Sequence, residues 1–198
     1  TCQQSTRTTI SAAGMINPLV FRRMTKSWRL DEFTPYLISF YQTLEQKCNT
    51  PFFHPIPIRR FFSAQQEKDF WIKRQHDEAF SAYMTPLSDA DETYFPEANI
   101  LGSGLVKNSF FVNTTSFLDA TKQYLSTKID YRIEDFDHDA YDATTIIYRG
   151  EQFNKMIFCE GFEGKENPIF AYLPLNQTKG ETLTVQMHNL PENESLNR

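Results

Sequence analysis

Cysteine is scarce in this chain: three in 198 residues, at Cys2, Cys48 and Cys159, and none in a C-x-x-C pair. Three cannot form a disulfide framework, so a reducing compartment is the simpler setting and a cytoplasmic location is expected. Long apolar runs are also missing. No stretch approaches the roughly 18 residues of a spanning helix, so no membrane span is expected. The opening TCQQSTRTT has no apolar core of a signal peptide and no initiator Met, so the expectation is that either something was removed or the chain is an excised piece. Basic charge is not in excess: Lys and Arg number 20 against 25 Asp and Glu, a net charge of -5. That balance disfavours nucleic acid, which usually meets a basic stripe. No internal repeat is visible. A G-x-S-x-G elbow, a P-loop and the zincin and deaminase signatures are all absent.

Aromatic residues are abundant, with 18 Phe, 9 Tyr and a hydrophobic fraction of 40%. So many large rings support a packed core and argue against disorder. The length suits one domain or slightly more. Residues 5–14 are small and weakly helical, and Asn17-Pro18 then break the chain. Residues 22–28 form a basic entry loop. Phe33, Leu37, Phe40, Tyr41 and Leu44 recur at helical spacing, so residues 31–47 form a helix with Asp31 and Glu32 at its positive end. Alternating prolines in residues 51–62 forbid a helix and suggest an edge strand or extended loop. A second helix starts near residue 64 and ends before Pro86, and residues 87–99 are loop.

The second half changes period. Residues 101–113 read as strand, turn and strand, and residues 114–127 as an amphipathic helix. A short strand is expected at 129–135. Two more flank a turn at Arg149-Gly150-Glu151, covering 144–150 and 151–161. One or two further strands fall in 167–187. The fold class is therefore α+β: a mixed, largely antiparallel sheet with about three substantial helices.

The chemistry-bearing residues are dispersed. Asp135, Asp137, His138, Asp139 and Asp142 form an acidic run, but it lacks the glycine and closing glutamate of an EF-hand loop. No metal site is expected. The four histidines, 54, 76, 138 and 188, have no ligand spacing. Cys159 ends an apolar run and reads as a buried structural thiol. Two stretches are more suggestive. SAAGMINP sets Gly14 and Met15 after small residues, which either lets a backbone approach a flat cofactor or caps a helix. LPLNQTKGE sets Lys179-Gly180 after a proline-bounded strand, as a surface hairpin or an anion-facing turn.

These stretches, in order, resemble FAD-dependent oxidoreductases of the D-amino-acid oxidase-like family, which includes glycine and sarcosine oxidases. The likeness runs through SAAGMINPLVFRRMTKSW, DEFTPYLISFYQTLEQ, PIRRFF, GLVKNSFFVNTTSFLDATKQYL, the segment ending MIFCEG, and LPLNQTKGE. It covers most of residues 5–185. The family's opening G-x-G-x-x-G turn and its glycine-rich closing segment have no match here. The resemblance therefore implies an internal fragment, with an isolated chain that is inactive. Residues 1–30 would be a remnant of the FAD-domain framework and linker. Residues 31–148 would resemble the substrate domain, and 149–198 would supply return strands.

The resemblance also implies roles. Ala13, Gly14 and Met15 match the segment beside the flavin ring, and Asp135 lies in a region near the adenine. Gly161 matches a strand-end glycine near the dinucleotide, although Cys159-Glu160 replaces the family's small residues there. Lys179 and Gly180 match the turn into the sheet over the flavin. Arg22, Lys26, Arg59 and Tyr148 are candidates to meet a substrate carboxylate. The implied cofactor is FAD in the parent protein. The implied reaction is hydride transfer from an amine or amino acid to flavin N5, with the C–N bond oxidised. The competing reading is a non-catalytic α+β ligand-binding or protein-interaction module. A fragment would also expose a former interface and could self-associate through it.

Overall fold

The computed structural model describes residues 8–88, 100–176, 178, 180–186, 188, 191 and 193–198. They fall into two compact units. The larger comprises Ala12–Lys128 with Thr184–Arg198, and the smaller comprises Ile129–Leu183 with Thr1–Ser11. The fold is α+β, with mixed, mostly antiparallel sheets and about four helices.

Helix α1 (Thr8–Ser11) is a single turn. Strand β1 (Met15–Ile16) follows, and β2 (Leu19–Val20) pairs with β3 (Thr25–Lys26) across a short 3₁₀ turn. Met24 sits at that turn with φ 45° and is fully buried. Helix α2 (Leu30–Cys48) carries Asp31 and Glu32 in its first turn and Lys47 in its last, as the helix dipole favours. It ends at Asn49, whose left-handed backbone lets its N–H bond the Glu45 carbonyl. Pro35 lies inside the helix, where it removes the N–H that would bond the Asp31 carbonyl.

Strands β4 (Phe53–Pro55) and β5 (Ile58–Phe61) are one extended run, interrupted at Ile56-Pro57. Helix α3 (Gln65–Arg74) follows. Strands β6 (Ser103–Val106) and β7 (Phe110–Val112) then run back along the same ribbon. β4 pairs with β7 (Phe53↔Val112), and β5 pairs with β6 (Ile58↔Val106). The return strand has three residues, 107–109, opposite two, so the ribbon carries a bulge. Asn108 takes φ 52° there, and the Ser109 hydroxyl donates to the Ile56 carbonyl at 2.6 Å. The bulge divides the ribbon into two sheets, β1-β7-β4 and β11-β5-β6, where β11 is Ser195–Asn197. The strands expected within 101–113 therefore form but do not pair with each other. The β11–β5 pairing is the one parallel pairing among the described residues.

Each sheet has its own core. Phe52, Phe53, Phe110, Val112 and Ala120 pack under Leu37, Ile38, Tyr41, Leu44 and Cys48 of α2. Helix α4 (Thr114–Ser126) closes this layer and is capped by Asn113, whose side chain accepts from Ser116 N–H. The second core gathers Leu19, Met24, Ile58, Phe62, Phe80, Tyr83, Met84 and Val106 around Trp71. Trp71 is fully buried, and its indole N–H donates to the Thr85 carbonyl at 3.1 Å. A Cβ at Gly104 would lie 2.4 Å from the Trp71 ring, so only glycine leaves room for it. The helix expected to run towards Pro86 stops instead at Arg74. Asp77 then accepts from Ala79 N–H and starts a separate 3₁₀ turn, which turns Phe80 into the core.

The smaller unit is a meander of β8 (Tyr141–Asp142), β9 (Ile147–Tyr148) and β10 (Glu151–Gln152). Arg149 and Gly150 join β9 to β10 with φ of 48° and 83°, the left-handed pair that suits a two-residue hairpin. The turn is as expected, but the strand after it spans two residues rather than eleven. Phe153 N–H still bonds the Ile146 carbonyl, and no strand pairs beyond it among the described residues. Residues 129–135 form no strand: Arg132 pairs locally with Asp130, and Arg149 with Glu134. Residues 167–176 turn rather than extend. Pro168 and Pro174 lack donors, and Phe170 and Leu173 N–H groups bond carbonyls three residues back.

Candidate functional site

The segment singled out by its small residues is the edge strand of a sheet. Gly14 has φ 71°, and a Cβ there would sit 2.0 Å from the Val112 carbonyl oxygen. Only glycine permits that approach. Val112 N–H bonds the Gly14 carbonyl at 2.9 Å, and Met15 stands opposite Phe111. In an antiparallel ladder this makes Met15↔Phe111 a non-hydrogen-bonded pair. The N–H and C=O of Met15 therefore point away from β7, off the open edge of the sheet. The Met15 side chain is exposed, as are Ala12 and Ala13. The close approach that Gly14 permits is therefore to β7 of its own sheet, and the helix before it ends at Ser11.

The basic candidates follow directly. Arg22 is exposed in the 3₁₀ turn between β2 and β3 and makes no ion pair among the described residues. Lys26 donates to both oxygens of Asp31, at 2.9 and 2.7 Å. The Tyr83 hydroxyl donates to the same carboxylate at 2.7 Å, and the Lys26 ammonium lies 5.2 Å from the Tyr83 ring centre. The bond from Lys26, and then that from Tyr83, hold the Asp31 carboxyl below its ordinary range. Burial, reinforced by Asp31, pushes the Tyr83 phenol up to about 12. Neither Asp31 nor Tyr83 was a site candidate from sequence. They lie 52 residues apart, and nothing local in the chain announces their contact.

Arg59 sits in the central strand β5 and is 7% exposed. Its guanidinium donates to both oxygens of Glu194, at 2.6 and 3.0 Å, and to Ser103. Its neighbour Arg60, on the opposite face of the strand, bonds Glu67, Ser63 and Asn197. The two arginines thus anchor β11 and α3 to β5. Sequence reasoning did not find Glu194, whose partner lies 135 residues earlier.

The smaller unit holds the remaining candidates. The Tyr148 ring stacks on Phe136 at 4.6 Å, and its hydroxyl accepts from Asp137 N–H. Phe136, His138, Tyr141, Phe158 and Phe170 join it in an edge-to-face cluster. Asp135 is exposed outside regular structure. Gly161 opens a 3₁₀ turn with φ 59°, and a Cβ at Gly161 or Gly180 would meet nothing within 4 Å. Lys179 lies outside the described residues. Cys159, expected to be buried, is exposed, because the run before it is not a sheet strand.

Among the described residues no group of His, Cys, Asp or Glu is placed to hold a metal ion, and no helix is long and apolar enough to cross a membrane. No known family model matches the chain, and no solved structure matches it.

Proposed function

We propose that this chain supplies the substrate-domain-like part, and the strand beside the flavin, of an FAD-dependent oxidoreductase acting on an amino acid or related amine. One observation carries the reading. β1 presents a backbone donor and acceptor at Met15, on the side of the strand that no other strand pairs with among the described residues. The edge of a flat, polar ring system can bond such groups in its own plane. The ordered resemblance set out above implies an isoalloxazine at this same segment.

Residues 13–15 would hold the flavin edge, and FAD would accept the two electrons and hydride released from the substrate carbon. Within the chain, Arg22 is the best anchor for a substrate carboxylate. Its guanidinium is exposed and makes no ion pair among the described residues, whereas Arg59 is committed to Glu194. Lys26 is held by Asp31 with one N–H direction left over, and so would steer rather than clamp an anion.

The test is spectroscopic. The protein encoded by the complete reading frame is purified, its absorbance between 350 and 500 nm is recorded, and added FAD is titrated. A flavin spectrum or saturable FAD uptake is expected. Arg22→Lys should then raise the apparent KM for a carboxylate substrate about tenfold or more, with FAD uptake unchanged. A colourless protein that takes up no FAD would leave the binding-module reading in its place.

A further inference from the structure

Helix α2 carries two apolar faces, and the larger unit covers only one. Leu37, Ile38, Tyr41, Leu44 and Cys48 turn inward to the core. Phe33, Tyr36 and Phe40 recur at the same helical spacing on the adjoining flank, and the Trp28 ring joins them edge-on to Phe33 at 5.5 Å. Tyr36 stacks on Phe40, and the Arg29 guanidinium lies over both Trp28 and Phe33. These rings are not buried: Trp28 is 77% exposed, Tyr36 72%, Phe40 45% and Phe33 41%.

We propose that this stripe is the interface of a homodimer, in which α2 of one copy packs antiparallel on α2 of a second across a two-fold axis near residues 36–40. Area is the first argument. At 150–250 Å² per aromatic side chain, the four expose roughly 500 Å² in one copy. Covering both copies would remove about 1,000 Å², the threshold for a specific interface, before any neighbouring residue is counted. Composition is the second. Aromatic rings with an arginine stacked among them are the side chains enriched at interface centres. Charge is the third. Asp31 is taken up by Lys26 and Tyr83, but Glu32, bonded only to the exposed Arg29 among the described residues, and Lys47 both border the aromatic flank. Antiparallel packing sets Glu32 of each copy near the partner's Lys47, whereas parallel packing would set Glu32 near Glu32.

The test is sedimentation of the 198-residue chain from about 1 to 100 µM, with circular dichroism to confirm folding of every variant. A dimer is expected whose dissociation constant rises at least about thirtyfold in Tyr36→Glu. Tyr172→Glu, on an equally exposed ring of the smaller unit, should leave it unchanged. If Tyr36→Glu does not fold, Trp28→Ser, which precedes the helix, takes its place. Lys47→Glu should weaken the dimer, and adding Glu32→Lys to the same chain should restore it. A monomer at every concentration would overturn the proposal, as would a dimer indifferent to Tyr36→Glu. So would equal loss in Tyr36→Glu and Tyr172→Glu. A dimer indifferent to Lys47→Glu would overturn the antiparallel arrangement.

Discussion

The two units of this molecule hold their aromatic residues in different ways. In the larger, Phe52 and Trp71 are fully shielded, and the chain is shaped around them: Gly104 is glycine because the Trp71 ring occupies the space of its Cβ. Every buried hydrophobic side chain among the described residues belongs to this unit. In the smaller, Phe136, Tyr141, Tyr148 and Phe158 meet ring to ring, yet each keeps part of its surface in water. Its glycines Gly150, Gly161 and Gly180 have open space where a Cβ would go, unlike Gly14 and Gly104. Close packing fixes where backbone groups point, so the larger unit holds the direction of the Met15 amide. Turns and half-buried rings fix a chain path with less authority over any one group.

Substitutions can break this contrast. Trp71→Ala should cost about 3–5 kcal/mol in urea unfolding, because a fully buried ring leaves a cavity. Phe158→Ala, in the smaller unit, should cost no more than about 1–2 kcal/mol, since its ring is half-exposed. Equal losses would contradict the difference between the units. Glu194→Ala should cost roughly 3 kcal/mol by removing the bidentate Glu194 carboxylate from the buried Arg59. Glu134→Ala, which releases the exposed Arg149, should cost at most about 1 kcal/mol. Gly104→Ala should cost about 1–3 kcal/mol through overpacking against Trp71. Gly150→Ala has nothing to strike, so only its left-handed backbone resists, at about 1 kcal/mol.

The remaining effects depend on pH. Tyr83 titrates near 10 when unfolded and near 12 when folded. Its contribution is thus complete below pH 10 and drains away as pH rises towards 12, because the unfolded chain loses its proton first. Tyr83→Phe should flatten that part of the stability curve, measured by urea midpoints at pH 8 and 11. Asp31 has the opposite sign. Its lowered carboxyl stabilises the fold above the ordinary carboxylate range, and that stability is lost as pH falls through its depressed value. Lys26→Met should move the Asp31 titration, followed by NMR, back upward.

What could be read in the chain beforehand was whatever is local. Helix α2 was legible from its 3–4 spacing and acidic start, and α4 from its amphipathic face. The alternating prolines at 55 and 57 marked the extended β4–β5 run, and Arg149-Gly150 marked the hairpin. Long-range partners were not legible. The Asp31–Tyr83 bond and the Arg59–Glu194 pair join residues that carry no mark of each other. The apolar letters of 153–159 read as strand, but an apolar run becomes a strand only when another supplies its ladder. The flanking turns hold that run outside the meander. The same limit affected the site. The glycine of SAAGMINP was visible, but its close neighbour Val112 and the β7 pairing that leaves the Met15 amide unpaired among the described strands lie almost a hundred residues away.

That edge of β1 is where the proposed cofactor would bind. The most direct test is hydrogen–deuterium exchange at the Met15 amide in the protein from the complete reading frame, with and without saturating FAD. If the flavin lies along β1, exchange at Met15 should slow at least about tenfold on FAD binding, while the already bonded Val112 amide changes little. Bound FAD with unaltered exchange at Met15 would contradict the claim that this strand receives the cofactor.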